Sequence, residues 1–160
     1  MQRPDFSKIK LLILDVDGVM TDGNFYVSDN GDISRKFNVL DGFGIVNAIQ
    51  RGLEIAVITG GKGKAVTHRC DYLGIKNAFL GREDKHNVYT KILKPKLGIK
   101  DEEVAFIGDD VYDIELMKMV GLPVTVPDAH DKVKTVAKYI TTRKGGEGAV
   151  REVIDLILPL

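Results

Sequence analysis

The stretch Lys10-Leu11-Leu12-Ile13-Leu14-Asp15-Val16-Asp17-Gly18-Val19 decides how this chain is read. Lys10–Asp15 is a short, bounded run of strand-forming apolar residues and reads as a buried β-strand. Two aspartates, one residue apart, follow it at once, and then a glycine. Working outward, Leu53–Thr59, Asn77–Leu80, Val104–Gly108 and Leu122–Val126 read as strands of the same kind. Helical patterns lie between and after them at Gly42–Gln50, Gly63–Leu73, Lys85–Leu97, Asp113–Val120, His130–Ala137 and Gly148–Leu158. Strands alternating with helices at this spacing are βαβ units. The expected fold is therefore α/β, a doubly wound, Rossmann-like parallel sheet with helices on both faces.

One segment departs from the alternation. Asn24–Ser28 and Asp32–Asn38 are strand-like, and Asp29-Asn30-Gly31 between them is strong turn chemistry. A β-hairpin is expected to project just after the first strand. A two-stranded hairpin is marginal alone in water, so it must fold back on the chain or pair with another subunit.

Composition narrows the class. The 160 residues carry no repeat, low-complexity tract or linker, so residues 1–160 are read as one domain. Lys plus Arg is 23 and Asp plus Glu is 23, a balance without the basic footprint of a nucleic-acid or anionic-membrane binder. Hydrophobic residues make up 44%, enough to bury a core. A lone cysteine, Cys70, excludes an internal disulfide and a cysteine zinc site. No run approaches the ~18 apolar residues of a membrane span, and no signal peptide is seen. The expectation is a soluble, cytoplasmic protein.

In an open parallel sheet, ligands bind at the carboxyl ends of the strands. Asp15 and Asp17 end the first strand, Thr59 the second, and Asp109, Asp110 and Asp113 follow Val104–Gly108; Lys85 begins the helix after the third strand. Crowded carboxylates repel unless a cation joins them, and the hard, oxygen-ligated cation for such a site is Mg²⁺. A lysine and a strand-end threonine beside it would make a phosphate pocket. One aspartate could attack phosphorus, and a carboxyl two residues on could protonate the leaving oxygen. Taken singly, Asp-x-Asp-Gly is most often a solvated turn and Gly-Asp-Asp a loop or helix cap. Together, at the same end of successive strands, they make one site.

These residues resemble a known family. Asp15-Val16-Asp17-Gly18-Val19 with Met20-Thr21-Asp22-Gly23, then Ile58-Thr59-Gly60, Lys85 and Gly108-Asp109-Asp110-x-x-Asp113 are similar to the four motifs of the haloacid dehalogenase superfamily of phosphohydrolases. Phe37-Asn38-Val39-Leu40-Asp41-Gly42-Phe43-Gly44-Ile45 and the tail Gly145-Gly146-Glu147-Gly148-Ala149-Val150-Arg151-Glu152 resemble the 3-deoxy-D-manno-octulosonate 8-phosphate phosphatases, enzymes of lipopolysaccharide sugar biosynthesis. The resemblance implies Asp15 as nucleophile, Asp17 as acid and then base, and Thr59 and Lys85 as phosphoryl ligands. It implies Mg²⁺ on Asp15, the main-chain carbonyl of Asp17, and Asp109, with Asp110 and Asp113 in support. It places Asp17, Asn38, Asp41, Gly42, Thr59, Gly60, Arg69 and Lys85 on the substrate side, though Arg69 reads equally as a solvated helix residue. Many relatives carry an inserted cap domain; the spacings Asp15 to Thr59 and Thr59 to Lys85 leave no room for one. Uncapped relatives are homotetramers whose hairpins pair and whose neighbours' tails cover the site, and the same is expected here.

The match departs at Leu40 and Gly61, where octulosonate phosphatases usually have arginine. Neither can donate a side-chain hydrogen bond. Lys62, Lys64 and Arg143 are candidates to compensate, and a phosphatase for a nine-carbon sugar-acid phosphate or another small phosphorylated metabolite stays open. A non-catalytic phospho-accepting module is a further reading, against which Asp17 argues, since a module that stores phosphate needs no acid at the leaving group. His68, His86 and His130 form no metal-ligand pattern, Cys70 reads as a small core residue, and the tail glycines read as a flexible lead into the last helix.

Overall fold

The computed structural model describes residues 4–159; residues 1–3 and 160, included in the one-domain reading, lie outside the described residues. In chain order, β1 (Leu11–Leu14) is followed by a small antiparallel pair, β2 (Tyr26–Val27) and β3 (Ile33–Ser34), then α1 (Val39–Gln50), β4 (Glu54–Thr59), α2 (Lys64–Leu73) and β5 (Asn77–Leu80). Next come α3 (Lys85–Val88) and α4 (Lys94–Leu97), β6 (Val104–Ile107), α5 (Ile114–Met117), β7 (Leu122–Thr125), α6 (Asp131–Val136), β8 (Tyr139–Ile140) and α7 (Ala149–Ile157).

All six strands of the main sheet run parallel in the order β5-β4-β1-β6-β7-β8. β1 lies inside the sheet, and Leu14 is in register with both Val57 of β4 and Ile107 of β6. The chain winds from β1 outward through β4 and β5, then returns to the other side of β1 at β6. That reversal opens a crevice at the carboxyl end of β1, where α/β sheets bind their ligands.

The run that reads as buried is buried on both faces. Leu12 and Leu14 face Ile45 and Ala48 of α1, Val66 of α2, and Val150 and Val153 of α7. Leu11 and Ile13 face the opposite layer, with Val88, Leu93, Leu116, Met117 and Val133. This alternation follows from the two-residue period of a strand, and burial on both sides explains the unbroken apolar run.

Three features differ from the sequence reading. The hairpin exists, but its ladder joins only Tyr26–Val27 to Ile33–Ser34, and these side chains face solvent. The helix expected over Lys85–Leu97 is broken by a π turn at Tyr89–Leu93, where the Lys94 amide donates to the Tyr89 carbonyl, one residue further back than an α bond. Pro95, next in the chain, has no N–H and crowds the preceding turn, which accounts for the slip. Tyr139–Ile140 adds an edge strand too short to show periodicity. Among the described residues no cap domain is inserted, and no helix is long and apolar enough to cross a membrane.

The tail glycines are not a free lead into α7. The Gly146 amide donates to the Val19 carbonyl at 3.0 Å, and Asn38 Nδ2 donates to the Gly146 carbonyl at 3.2 Å. A Cβ on Gly145 would run into the main chain of Gly18. The tail is thus laid backbone to backbone against the loop that follows β1, an approach only glycine permits. Gly145→Ala is expected to cost about 1–3 kcal/mol by overpacking. Chemical denaturation of the two proteins measures it, and equal stabilities would refute the docked tail.

Candidate active site

The site is assembled at the sheet reversal. Asp15 follows β1 directly; its amide continues the ladder by donating to Ile107, and its Oδ1 accepts from the Val16 amide at 2.7 Å. Lys85, the first residue of α3, is buried over the Phe106 ring, with Nζ 3.0 Å from Asp15 Oδ1 and 2.5 Å from Asp113 Oδ1. The second oxygen of Asp113 accepts from the amides of Asp109 and Asp110 at 2.8 and 3.2 Å. Asp113 therefore has both oxygens committed and holds the loop after β6 in shape. Thr59 ends β4, buried, with Oγ1 accepting from the Gly61 amide at 3.0 Å.

Gly18 closes the arrangement. Its φ is +87°, and any Cβ there would collide with the Asp109 carboxylate. The β1 loop and the β6 loop can touch only because position 18 has no side chain. Carboxylate oxygens of Asp15, Asp109 and Asp113 consequently lie within 4.8 Å of one another. A cavity of about 300 Å³ opens above them, lined by Asp15, Asp17, Thr59, Gly60, Gly61, Glu83, Lys85, Asp109, Asp110 and Tyr112, among others.

Burial pushes the Asp15 carboxyl up to about 6, with the Lys85 ammonium opposing and the Asp113 charge adding to the rise. Burial raises Asp109 further, to about 8, helped by repulsion from Asp15 and Asp113. Burial alone would lower Lys85; Asp15 and Asp113 outweigh it and hold the lysine above its ordinary value. One ammonium faces three carboxylates, and Asp15 and Asp113 take it. All the donors left are hard oxygens, the set that suits a divalent cation such as Mg²⁺.

Asp15, Asp17, Thr59, Gly60, Lys85, Asp109, Asp110 and Asp113 are thus brought together. Asn38, Asp41, Gly42 and Arg69 are not; within one chain they lie behind the β1 loop. Asn38 caps α1 through Oδ1, Asp41 is buried and accepts from the Arg151 amide at 2.8 Å, and Arg69 packs on Gly42 and donates to the Asn38 carbonyl at 3.0 Å. Lys62 lies along Gly81, Lys64 is exposed, and Arg143 lines a separate cavity with Leu40 and Arg151. His86 pairs with Glu115 and His130 caps α6; neither side chain belongs to the acidic cluster, although the His130 amide donates to the Asp109 carbonyl at 2.9 Å. Cys70 is buried in the core, where burial pushes its thiol up to about 11.

The sequence reading missed Arg35. Its guanidinium makes two hydrogen bonds to Asp17, Nε to Oδ1 at 2.7 Å and Nη2 to Oδ2 at 3.2 Å. Arg35 follows β3 on the hairpin, and an arginine in a polar hairpin arm carries no positional signal. Only the fold brings it to Asp17.

Residues 82–154 match the model of the haloacid dehalogenase-like hydrolases. Over 150 residues the chain is 48% identical to the 3-deoxy-D-manno-octulosonate 8-phosphate phosphatase of Escherichia coli K12, covering 94% of this chain and 79% of that protein. Its fold matches the phosphatase of the same name from Yersinia pestis with a TM-score of 0.93, at 46% identity and covering 96% and 82% of the two chains. It matches the Moraxella catarrhalis enzyme, solved with a magnesium ion, a phosphate ion and a KDO molecule, with a TM-score of 0.92, at 38% identity and covering 96% and 87%.

A pH dependence follows from the raised carboxyls. A divalent ion needs Asp15 and Asp109 ionised, and both carboxyls are raised, so its binding near neutral pH releases protons and affinity rises with pH. Both groups hold protons to higher pH folded than unfolded, so the metal-free protein loses stability as pH rises from about 4 towards 8. Mg²⁺ should therefore raise Tm more at pH 8 than at pH 6. Titration calorimetry in two buffers of different ionisation enthalpy measures the protons; pH-independent affinity would contradict this electrostatic picture.

Proposed function

This chain belongs to the haloacid dehalogenase-like hydrolases, among the 3-deoxy-D-manno-octulosonate 8-phosphate phosphatases, and from that premise we propose that it hydrolyses 3-deoxy-D-manno-octulosonate 8-phosphate with Mg²⁺, as one cytoplasmic phosphatase domain acting in a homotetramer. The observation that carries this reading is the placement of Asp15: at the end of the central strand, 3.0 Å from the Lys85 ammonium, with Thr59, Asp17 and Asp109 around the same cavity.

In this reading the phosphoryl group enters between Thr59 and Lys85, whose hydroxyl and ammonium hold its oxygens. An Asp15 carboxylate oxygen attacks phosphorus, and the bond from phosphorus to the sugar oxygen breaks. Asp17 gives its proton to that leaving oxygen. The product is a free sugar acid and an aspartyl-phosphate on Asp15. Asp17, now a carboxylate, takes a proton from water as the water attacks phosphorus, releasing inorganic phosphate and restoring Asp15. Asp15, the Asp17 main-chain carbonyl and Asp109 would hold Mg²⁺, which when bound would neutralise charge on the phosphoryl group. Asp113 and Asp110 position the β6 loop, and Asn38, Asp41, Gly42 and Arg69 support the substrate side from behind the β1 loop.

The assembly reading rests on exposed apolar surface. Tyr26 is 72% exposed and Val39 81%, with Phe25, Val27, Ile33 and Phe43 also largely uncovered. A hairpin this short gains stability by pairing with a copy of itself, and neighbouring chains would close a cavity that no cap covers.

Phosphate release from 3-deoxy-D-manno-octulosonate 8-phosphate should require Mg²⁺ and stop with EDTA. Asp15→Asn should abolish it, and Asp17→Asn should lower kcat by about 10²–10⁴-fold. Activity confined to nine-carbon sugar-acid phosphates would keep the chemistry and change the substrate. Silence on every phosphate ester tested would refute both. Light scattering should give a tetramer, and a monomer would refute that assembly.

A further inference from the structure

Arg35 is a buried guanidinium next to the cavity, which it does not itself line. Its side chain is 5% exposed, and Asp17 takes two of its donors. The loop after β4 makes the rest of its seat. A Cβ on Gly61 would lie 3.3 Å from Nη2, and one on Gly63 would lie 3.9 Å from Nη1. The Phe25 ring lies 5.8 Å from Cζ. A side chain at position 61 would contest this space; glycine leaves it to Arg35. Gly61 and Asp17 both line the cavity, so the guanidinium sits directly behind its wall.

The pairing with Asp17 conflicts with the role assigned to that residue. An acid must present an oxygen to the leaving group, yet both Asp17 oxygens here accept from Arg35. A protonated Asp17 is a poorer partner for a guanidinium than the carboxylate, so the contact loosens when the acid carries its proton. A bidentate guanidinium seat fits one carboxylate at a time, and the sugar-acid substrate brings a carboxylate of the same chemistry.

The other cations near this wall are committed or turned to solvent; Lys62, beside Gly61, is exposed and lies along Gly81. Lys85 is shared between Asp15 and Asp113, and Arg151 is bonded to Asp155. Among the described arginines, Arg35 is the one whose guanidinium bonds a side chain of the cavity.

Resting on the phosphatase reading above, we propose that Arg35 binds the substrate's carboxylate, exchanging its bond to Asp17 for a bond to the substrate. The incoming anion then does two things at once. It is recognised by the guanidinium, and it releases Asp17 to face the leaving oxygen. A phosphate ester without a carboxylate leaves Arg35 on Asp17. Selectivity for sugar acids is thereby built into the hairpin, and Arg35 takes the part that a side chain at position 61 cannot play here.

The test compares wild type, Arg35→Gln and Arg35→Lys, as full chains with Mg²⁺, on two substrates: 3-deoxy-D-manno-octulosonate 8-phosphate, and arabinose 5-phosphate, which lacks the carboxylate. Loss of a charged bidentate contact should lower kcat/KM on the octulosonate by about thirtyfold in Arg35→Gln, chiefly through KM. Turnover of arabinose 5-phosphate should hold or rise in Arg35→Gln, since no carboxylate is there to be held and Asp17 is no longer occupied by the guanidinium. Arg35→Lys, which keeps charge without the planar geometry, should recover part of the octulosonate activity and remain selective in its loss. Equal losses on both substrates, or none on either, would overturn the proposal; if thermal melting shows Arg35→Gln unfolded, Arg35→Lys decides by the same ratio. A wild type inactive on the octulosonate would overturn the reading beneath it, a result distinct from equal losses in an active enzyme.

Discussion

A buried ammonium holds this site together. The Lys85 side chain is 5% exposed and sits between Asp15 and Asp113, which come from opposite sides of the sheet reversal. Leaving a buried charge without its partner costs several kcal/mol, so β1, α3 and the loop after β6 are tied to one another by electrostatics as well as by packing. The balance is incomplete. Asp109 lies within 4.8 Å of the other two carboxylates with no lysine of its own, and burial, helped by repulsion from Asp15 and Asp113, raises its pKa. A divalent cation at the acidic cluster would supply the missing charge. Fold stability and metal demand arise from the same arithmetic of three carboxylates and one amine.

The surroundings make this crowding possible. Backbone segments from three parts of the chain meet behind the cluster: the loop after β1, the loop after β6, and the tail before α7. Gly18 lets the first two touch, and Gly145 lets the third close against the first. Asp113 then fixes the β6 loop through two main-chain amides. Asp15 and Asp113 are held by short contacts at the ends of buried strands, which in the proposed mechanism would keep an attacking oxygen near its target without reorganisation.

Much of this was legible in the chain itself. Asp15, Thr59, Lys85 and Asp109 sit at the edges of apolar runs whose length and alternation with helices mark them as parallel strands. Position at a strand end then implies convergence. The hairpin was legible from Asp29-Asn30-Gly31, but its ladder is shorter than its residues suggest, because its paired side chains face solvent and gain little from burial. The π turn before Pro95 depends on one missing amide, a local detail that helical periodicity averages away. Asn38, Asp41, Gly42 and Arg69 read as substrate residues through their motif. Within one chain they cap α1 and brace the β1 loop, a role set by tertiary contacts with Gly146 and Arg151 that sequence spacing does not encode. Arg35 was illegible for the same reason: its partner Asp17 lies across a turn, and no period links them.

Asp15 and Asp17 are two residues apart, yet the structure holds them by different means. Asp15 belongs to the sheet, fixed by Ile107, Val16 and Lys85 in the interior. Asp17 is partly exposed and is held from outside, by a guanidinium on a hairpin that makes few contacts of its own. This division suits the chemistry proposed for them. A nucleophile gains from rigidity, since its oxygen must meet phosphorus at one distance. An acid that must turn from its partner to a leaving group, and later to water, gains from a partner that can give way. A strand buried on both faces and a hairpin exposed to solvent therefore meet at Asp15-Val16-Asp17.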